Sequence, residues 1–322
     1  MKQLPQKKTQ YKWWHLAAHN FQARLTLLRE GWQQFRSNPL GLIGLTLIFL
    51  FFLMILIHPL LMNTIWKPSV YDPYIGFDQI ARLHPTPPSW RHPLGTDGMG
   101  RDVLSQLMYG AKMSFSVGIA SALTAVTIST FSGGIAGYFG GIVDVILMGI
   151  SDVFILLPGL IVLLLLGTLI RLSWWSIALI FGILMGLGSQ AIVVKSQALS
   201  MKTKSYIEAA RISGGGNFHI FFTHILPGLM PLAIVHAVMT VVGAVLTESL
   251  LSFFSRTHDY MTWGSMIWVG HRTFRWFSRG GQWTAIIPPA IAIMLFCSAF
   301  YLVGRALDDI LNPQLREREY RH

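Results

Sequence analysis

The stretch from Leu40 to Met62 reads Leu-Gly-Leu-Ile-Gly-Leu-Thr-Leu-Ile-Phe-Leu-Phe-Phe-Leu-Met-Ile-Leu-Ile-His-Pro-Leu-Leu-Met and contains no Lys, Arg, Asp or Glu. A helix needs about 20 predominantly apolar residues to cross the hydrocarbon core of a bilayer. The stretch is long enough to do so, and it predicts a first transmembrane helix at 39–62.

The composition of the whole chain agrees with a membrane protein. Of the 322 residues, 52% are hydrophobic and only 12% are charged, whereas a soluble domain carries about 25% charged residues. The net charge of +11 is more typical of basic residues that flank membrane spans than of nucleic-acid binding. The single cysteine, Cys297, excludes an intramolecular disulfide.

Five more apolar segments follow the first, and each is long enough to cross a bilayer as a helix. The chain is therefore predicted to be an all-α polytopic membrane protein with six transmembrane helices. Pro158-Gly159 interrupts the third span. The five further spans are predicted at 113–139, 145–170, 174–194, 225–254 and 284–303.

An even number of spans places both termini on one side of the membrane. Segments on that side carry fifteen Lys and Arg residues, against ten on the other, and basic residues concentrate on the cytoplasmic side. We therefore expect both termini to be cytoplasmic. The predicted division is a cytoplasmic arm at 1–38, an external loop with an amphipathic segment at 63–112, a transmembrane core at 113–305 with a cytoplasmic loop at 195–224, and a cytoplasmic tail at 306–322.

The cytoplasmic loop predicts two helices joined by a glycine turn. Residues 196–212 favour a helix because alanines raise its propensity. The glycines at 214–216 are expected to end it, since glycine accepts the left-handed conformation of a helix C-cap. A second helix then runs toward Pro227. Small Ala209 and Ala210 would let another backbone approach, beside charged Glu208 and Arg211.

The segment before the second span predicts a helix start. Thr96 or Asp97 is expected to cap this helix. Asp97 and Arg101, spaced i and i+4, are expected to pair on its surface for a few tenths of a kcal/mol. The alternative, a calcium site built on Asp97 and Asp102, lacks the oxygen-ligand density that calcium requires.

Two features inside the predicted spans also indicate specific roles. Gly133, Gly137 and Gly141 follow one another at i, i+4 and i+8 and predict close packing of one helix face. Glu248 lies near the outer end of the fifth span, where an ionisable group is costly unless it faces protein or water. Two interpretations stay open: Glu248 lines a translocation path, or it contacts headgroups and a neighbouring helix.

Motifs for catalysis and nucleotide binding are missing. The sequence has no G-x-x-x-x-G-K-[ST], H-E-x-x-H or G-x-S-x-G pattern. His15 and His19 share a helix face, but two histidines without a third ligand make a weak metal site. The segment around them is more typical of an amphipathic helix beside the membrane. We therefore predict no catalytic residue, metal site or bound cofactor in this chain.

The pattern of the cytoplasmic loop resembles a family signature. Glu208-Ala-Ala, Gly214 and Leu226-Pro227 are similar to the coupling sequence of binding-protein-dependent ABC importer permeases, with His224 in place of the usual isoleucine. His-Ile-Leu-Pro resembles the peptide and nickel branch. Residues 93–112 look like the segment before span two of the second permease subunit in peptide importers. That external motif comprises Gly95, Thr96, Asp97, Gly100, Arg101 and Asp102.

The resemblance covers roughly residues 32–316 and implies the type I ABC importer permease fold. It implies a plasma (inner) membrane location in a prokaryote, a second homologous permease, two cytoplasmic ATP-binding subunits that use ATP-Mg, and an extracytoplasmic substrate-binding protein. Peptides are the implied cargo, with nickel or another small solute as the alternative. The implied ATPase-coupling residues are Glu208, Ala209, Ala210, Arg211, Gly214, His224, Leu226 and Pro227.

The sequence departs from this family after the fifth span. Phe254-Ser-Arg-Thr replaces the usual Leu-Gly-Leu-Gly, and the loop at 255–283 is basic and aromatic. That loop fits either an acidic binding protein or a lipid-facing surface. A rival class, the ion-gradient-driven secondary transporter, predicts buried carboxylates near the midplane and an inverted repeat. The sequence shows neither pattern.

Overall fold

A computed structural model describes residues 31–80, 84–254, 260–274 and 283–311. In these ranges the chain is helical or irregular, and one isolated β-bridge, between Thr96 and Asp102, is the only strand-like pairing. The predicted all-α fold is confirmed.

In the first half of the described ranges, seven helices follow a helical stretch at 31–37, and one of the seven is a single turn. They are α1 (Pro39–Thr64), α2 (Pro68–Tyr71), α3 (Val103–Phe139), α4 (Gly141–Leu156), α5 (Gly159–Leu169), α6 (Trp174–Leu187) and α7 (Ser189–Lys202).

In the second half, the described ranges hold five helices and one π-helical turn. They are α8 (Ser205–Ile212), α9 (Asn217–Ile220), the π-turn Phe221–Ile225, α10 (Leu226–Phe254), α11 (Trp263–Phe274) and α12 (Trp283–Leu311). Within the described ranges, four helical units are long and apolar enough to cross a membrane, and six if each bent pair, α4–α5 and α6–α7, is one span.

Helix α1 begins where the sequence predicts. The Asn38 side chain accepts hydrogen bonds from the backbone N–H of Leu40 and of Gly41, at 3.0 and 3.2 Å. Pro39 occupies the first turn, where its missing N–H costs nothing. The helix continues to Thr64, two residues past the predicted end.

Helix α3 begins ten residues before the predicted start of the second span. Its cap is Asp102, whose carboxylate accepts the backbone N–H of Ser105 at 2.6 Å. The expectation that Thr96 or Asp97 caps this helix is therefore wrong. With 37 residues α3 is about 55 Å long, well beyond a hydrocarbon core of about 30 Å.

Two of the predicted spans are bent. The axes of α4 and α5 differ by 78°, and the break falls at Pro158, as predicted, because residues before proline avoid the helical conformation. The axes of α6 and α7 differ by 42° at Gly188, which the sequence analysis did not predict. The bent pair α6–α7, which corresponds to the predicted fourth span, also continues to Lys202, past the predicted end of that span at residue 194.

Two loop predictions are wrong. The single helix predicted at 196–212 is broken, because Lys204 adopts an extended conformation with φ −78° and ψ 143° between α7 and α8. The segment predicted as a loop at 255–283 contains α11. Trp263 at its start is fully buried and donates its indole N–H to the Leu107 carbonyl at 3.0 Å, so α11 is anchored to α3.

Helix α3 lies at the centre of the fold and packs against α6, α7 and α10. A Cβ at Gly133 would overlap the carbonyl oxygen of Ala191, and one at Gly137 would lie 2.7 Å from that of Lys195. Both glycines therefore allow α7 to pack closely, as predicted. Gly141 does not extend this stripe: it is the first residue of α4, with φ +59° and no atom within 4 Å of its Cβ position.

The α3–α7 contact yields a first prediction. Gly133→Ala should lower the free energy of unfolding by about 1–3 kcal/mol, since the new methyl group meets backbone that has no room to move. Thermal unfolding in detergent measures this change. Gly149→Ala is the control, because its Cβ meets nothing within 4 Å in a helix interior where alanine is favoured. Equal melting temperatures for the two variants would contradict the packing argument.

Candidate functional sites: the 203–227 loop and the external module

The glycine turn of the 203–227 loop has the predicted geometry. Helix α8 ends at Ile212, and Gly214 adopts φ +85°. The Gly214 N–H donates to the Arg211 carbonyl and the Gly215 N–H to the Ala210 carbonyl, both at 3.0 Å. These two bonds form a Schellman motif, which requires the left-handed residue that glycine supplies.

A small hydrophobic core holds the loop against the bundle. Ile207 of α8 and Ile220 of α9 are fully buried, and they pack with Phe221 and with Tyr138 of α3. Met201 of α7 belongs to the same cluster. The loop is therefore packed against the ends of α3, α7 and α10.

The π-turn connects this core to α10. Its closing hydrogen bond runs from the Leu226 N–H to the Phe221 carbonyl, one residue wider than an α-helical bond. Pro227 follows directly and has no N–H to offer to an α-helical ladder. His224, half-buried within the turn, has its ring 6.4 Å from that of Tyr206.

The exposed face of the loop carries both apolar and charged side chains. Glu208, Ala209 and Arg211 are exposed, and among the described residues neither Glu208 nor Arg211 has an ion-pair partner. Large apolar side chains lie on the same loop with much of their surface in contact with solvent. They are Tyr206, Ile212, Phe218 and Phe222, exposed by 48%, 87%, 73% and 53%.

Residues 67–80 and 84–102, which the sequence predicts to be external and which we call the external module, are organised by a second set of polar residues. Asp97 Oδ1 accepts the backbone N–H of Met99 and of Arg101, both at 2.9 Å. Its Oδ2 accepts Arg101 Nε at 2.8 Å and Gln106 Nε2 at 3.0 Å. The predicted Asp97–Arg101 pair exists, but it closes a buried loop and does not lie on a helix surface. Gly95 and Gly100 flank this loop with φ +80° and +83°.

His92 lies at the centre of the module between two carboxylates. Its Nδ1 is 2.8 Å from Asp102 Oδ2 and its Nε2 is 3.1 Å from Asp78 Oδ2. Arg91 adds an ion pair to Asp78 at 3.2 Å. His92, Asp78 and Asp102 are each at most 3% exposed, so the module has a buried ionic centre that also caps α3.

The charges in this centre shift one another's pKa. The hydrogen bond to Asp102 raises the pKa of His92 above its ordinary value of 6.5 and outweighs the opposing effect of burial. Burial alone would raise the pKa of Asp78, but the His92 hydrogen bond, the Ile80 N–H and Arg91 together lower it. Each ring nitrogen faces a carboxylate, so the imidazolium form satisfies both.

The module is tied to three transmembrane helices. The Thr284 hydroxyl of α12 donates to the Thr96 carbonyl at 3.2 Å. The Ser105 hydroxyl of α3 donates to the carbonyl of Tyr71 in the module, and His58 of α1 lies 3.2 Å from the same hydroxyl. The predicted external motif is therefore brought together in space, and it holds one end of the bundle.

Comparisons with known proteins identify the family. Residues 108–317 match the family model described as binding-protein-dependent transport system inner membrane component, and residues 26–85 match the N-terminal TM domain of oligopeptide transport permease C. The chain belongs to the family of binding-protein-dependent transport permeases. It is a multi-pass inner-membrane permease subunit of an ABC importer, a non-catalytic transport component, as the sequence predicted.

Similar proteins are named as peptide permeases. The dipeptide transport system permease protein DppC of Bacillus subtilis (strain 168) is 33% identical over 294 residues, 91% of this chain and 87% of DppC. The oligopeptide transport system permease protein OppC of the same strain is 31% identical over 297 residues, 91% and 92% of the two chains. The glutathione transport system permease protein GsiD of Pectobacterium atrosepticum is 29% identical over 296 residues, 89% and 91%.

The Glu248 side chain of this permease is buried within the protein. It is 1% exposed and accepts a hydrogen bond from the Ser252 hydroxyl at 2.6 Å. A Cβ at Gly264 would overlap the Ser249 carbonyl, so α11 packs directly on α10 beside Glu248. A role of Glu248 in the translocation path stays a prediction.

Some predicted residues fall outside the described ranges. They are His15 and His19 and, in the basic loop at 255–283, Arg256, Arg275 and Arg279. Arg272 of the same loop is described, and its guanidinium lies 5.0 Å from the centre of the Trp268 ring. The sequence analysis missed His92 and Asp78, which no local spacing connects. Their only sequence signal is that both precede Asp102 in the same polar loop.

Proposed function

We propose that this permease forms half of a translocation pathway for di- or oligopeptides. A second homologous permease would form the other half, two cytoplasmic subunits would bind ATP-Mg, and an extracytoplasmic binding protein would deliver the cargo. The observation that carries this proposal is the 203–227 loop, which packs against the bundle and exposes an apolar face. Relatives named for dipeptides, oligopeptides and glutathione support peptide cargo, and nickel or another small solute is the alternative.

The loop has the properties of a docking element. Exposed Ile212 and Phe218 would lose apolar surface to water on binding a partner, which is worth about 25 cal/mol per Å². Glu208 and Arg211 have no ion-pair partner among the described residues, so they are available for charge-assisted hydrogen bonds to an ATPase groove. Ala209 adds no bulk between them.

The buried core of the loop would transmit motion. Because Ile207 and Ile220 are buried against the ends of α3, α7 and α10, a displacement of α8 by the ATPase would displace those helices with it. Closure of the ATP-binding subunits would therefore change the angle of the spans. The bends at Gly188 and Pro158 are the natural places for that change.

Binding of the ATPase subunits would also determine how the permease is oriented in the membrane. The loop faces the cytoplasm, and an even number of spans then places both termini there. The external module lies on the opposite side, where it would face the binding protein.

Docking is tested by co-purification. Ile212→Asp should reduce recovery of the ATP-binding subunit with tagged permease by more than about tenfold, because it removes a buried apolar contact worth about 1.5–3 kcal/mol. Extraction from native membranes in mild detergent, followed by quantitative immunoblotting, measures the recovery. Thr203→Asp is the control, since it adds the same charge to an exposed position of the same loop.

Two results would count against the proposal. Undiminished ATPase recovery with Ile212→Asp would exclude this face as the docking surface. A wild-type permease that is isolated without any ATP-binding subunit, under conditions that preserve a known importer, would contradict the proposed assembly with ATP-binding subunits. Uptake of labelled dipeptide and of nickel ion by the reconstituted complex then separates the two cargo classes.

A further inference from the structure

A groove runs between α1, α3 and α6 and has a volume of about 530 Å³. Phe52 of α1 forms one wall, Phe115 and Ile119 of α3 form the floor, and Trp174 and Trp175 of α6 form the other wall. Lys112 also lines the groove. Neither the proposed coupling mechanism nor the external module uses this surface.

The polar side chains of the groove are already satisfied. The Ser116 hydroxyl donates to the Lys112 carbonyl and the Thr124 hydroxyl donates to the Ala120 carbonyl, both at 2.9 Å. Neither hydroxyl proton is left to bind a polar ligand. Below Lys112 the walls therefore match a hydrocarbon chain better than a peptide.

The packing of α3 on α6 gives the depth of each residue. A Cβ at Gly182 would meet Thr124, and one at Gly186 would meet Ala125 and Ile128, so the two helices run parallel. Trp174, eight residues before Gly182, then lies level with Ser116, eight residues before Thr124. Lys112 is one helical turn farther along, about 6 Å.

This order of residues matches the layers of a lipid leaflet. Tryptophan favours the boundary between hydrocarbon and headgroups, and lysine extends to the phosphate level. The stretch from Lys112 to Leu123 is about 17 Å long, close to the depth of one leaflet, which is half of about 30 Å. Lys112 is exposed and has no carboxylate partner among the described residues.

We propose that this groove binds an anionic phospholipid. One acyl chain lies along Phe115, Ile119 and Leu123, the two tryptophans flank its glycerol end, and the Lys112 ammonium binds the phosphate. A second groove, about 470 Å³ between α1 and α12, serves as an internal comparison because it has no charged lining residue. It accepts acyl chains without selecting a headgroup.

The test uses the complex of the permease with its partner subunits. The complex is equilibrated in mixed micelles with equal amounts of phosphatidylglycerol and phosphatidylcholine of identical acyl chains, and the bound lipid is quantified by mass spectrometry. Wild type should retain phosphatidylglycerol preferentially. Lys112→Gln should lower that preference about fivefold, and Lys67→Gln, an exposed cation outside the groove, should not change it.

A photoreactive phosphatidylglycerol with a diazirine in its acyl chain locates the site. Cross-links should map to residues 115–124 and should be lost in Ala120→Phe, which fills the groove, but not in Leu50→Phe, which fills the second groove. Equal retention of the two lipids, or an unchanged preference in Lys112→Gln, would overturn the proposal. A cross-link from Ala120→Cys to a partner permease would do the same, by showing that protein fills the groove.

Discussion

Gly214→Pro is expected to reduce ATP-driven uptake by at least about tenfold while the permease still inserts into the membrane. Proline fixes φ near −65°, whereas Gly214 adopts φ +85°, and it removes the N–H that donates to Arg211. Strain of this kind costs about 1–3 kcal/mol, and about 1.4 kcal/mol is enough for a tenfold change. The turn between α8 and α9 would reorganise and misplace the docking face.

The same glycine run supplies the matched control. Gly216 adopts φ −68°, which a proline ring already satisfies, and no atom lies within 4 Å of its Cβ position. Gly216→Pro should therefore retain most of the uptake. Uptake into proteoliposomes and the ATPase rate of the purified complex measure both variants. Equal losses of uptake would show that the glycine run at 214–216 tolerates no proline in any conformation. The left-handed turn at Gly214 would then not explain the loss.

The turn at Gly214 was predictable because its cause is local. A helix that meets three glycines needs a left-handed residue to close its last carbonyls, and the sequence contains both parts within a few positions. The apolar spans were predictable for a similar reason, since a run of about 20 apolar residues is a property of one segment. Asn38 and Pro39 likewise mark the start of α1 in the sequence itself.

The bend at Gly188 and the formation of α11 depend on tertiary contacts. Gly188 sits inside an apolar run, and a glycine there predicts no bend by itself. Helix α11 is short, and it is held because Trp263 inserts against Gly110 and Leu107 of α3. Its partner lies more than 150 positions away in the chain, so a reading of local periodicity assigned the segment to a loop.

The ionic centre of the external module likewise could not be predicted from local sequence. The motif around Asp97 and Asp102 was found in the sequence, but the cap was assigned to the wrong residue: Asp102 caps α3, and Asp97 closes the loop before it. His92 and Asp78, which are 14 residues apart, meet only because the module folds back on α3. Charge pairs that are formed by such folding have no spacing rule that sequence analysis can use.

The hydrogen bonds of His92 to Asp102 and Asp78 make the stability of the external module depend on pH. Because its pKa is raised in the folded protein, His92 contributes fully below its ordinary pKa of about 6.5, and the contribution is lost as the pH rises through the folded value. Asp78 acts in the opposite sense, since its pKa is lowered: its contribution is lost as the pH falls through the folded value. The module should therefore be most stable in mildly acidic solution.

His92→Gln is expected to remove the alkaline part of this dependence and to destabilise the module by about 3–5 kcal/mol, since Asp78 and Asp102 would lose the cation between them. Arg91 remains, but it reaches only Asp78. Hydrogen-exchange protection factors of residues 67–80 and 84–102, measured between pH 5 and about pH 9 and corrected for intrinsic exchange, report the loss directly.

His84→Gln is the control, because the partners of His84 are the Thr96 hydroxyl and the Asp78 backbone carbonyl, both neutral. It should lose some protection but keep the alkaline decline. If wild-type protection does not fall as the solution becomes alkaline, or if His84→Gln removes the fall as completely as His92→Gln does, the imidazolium does not hold the module together. In that case His92 would gain no extra proton on folding over this pH range.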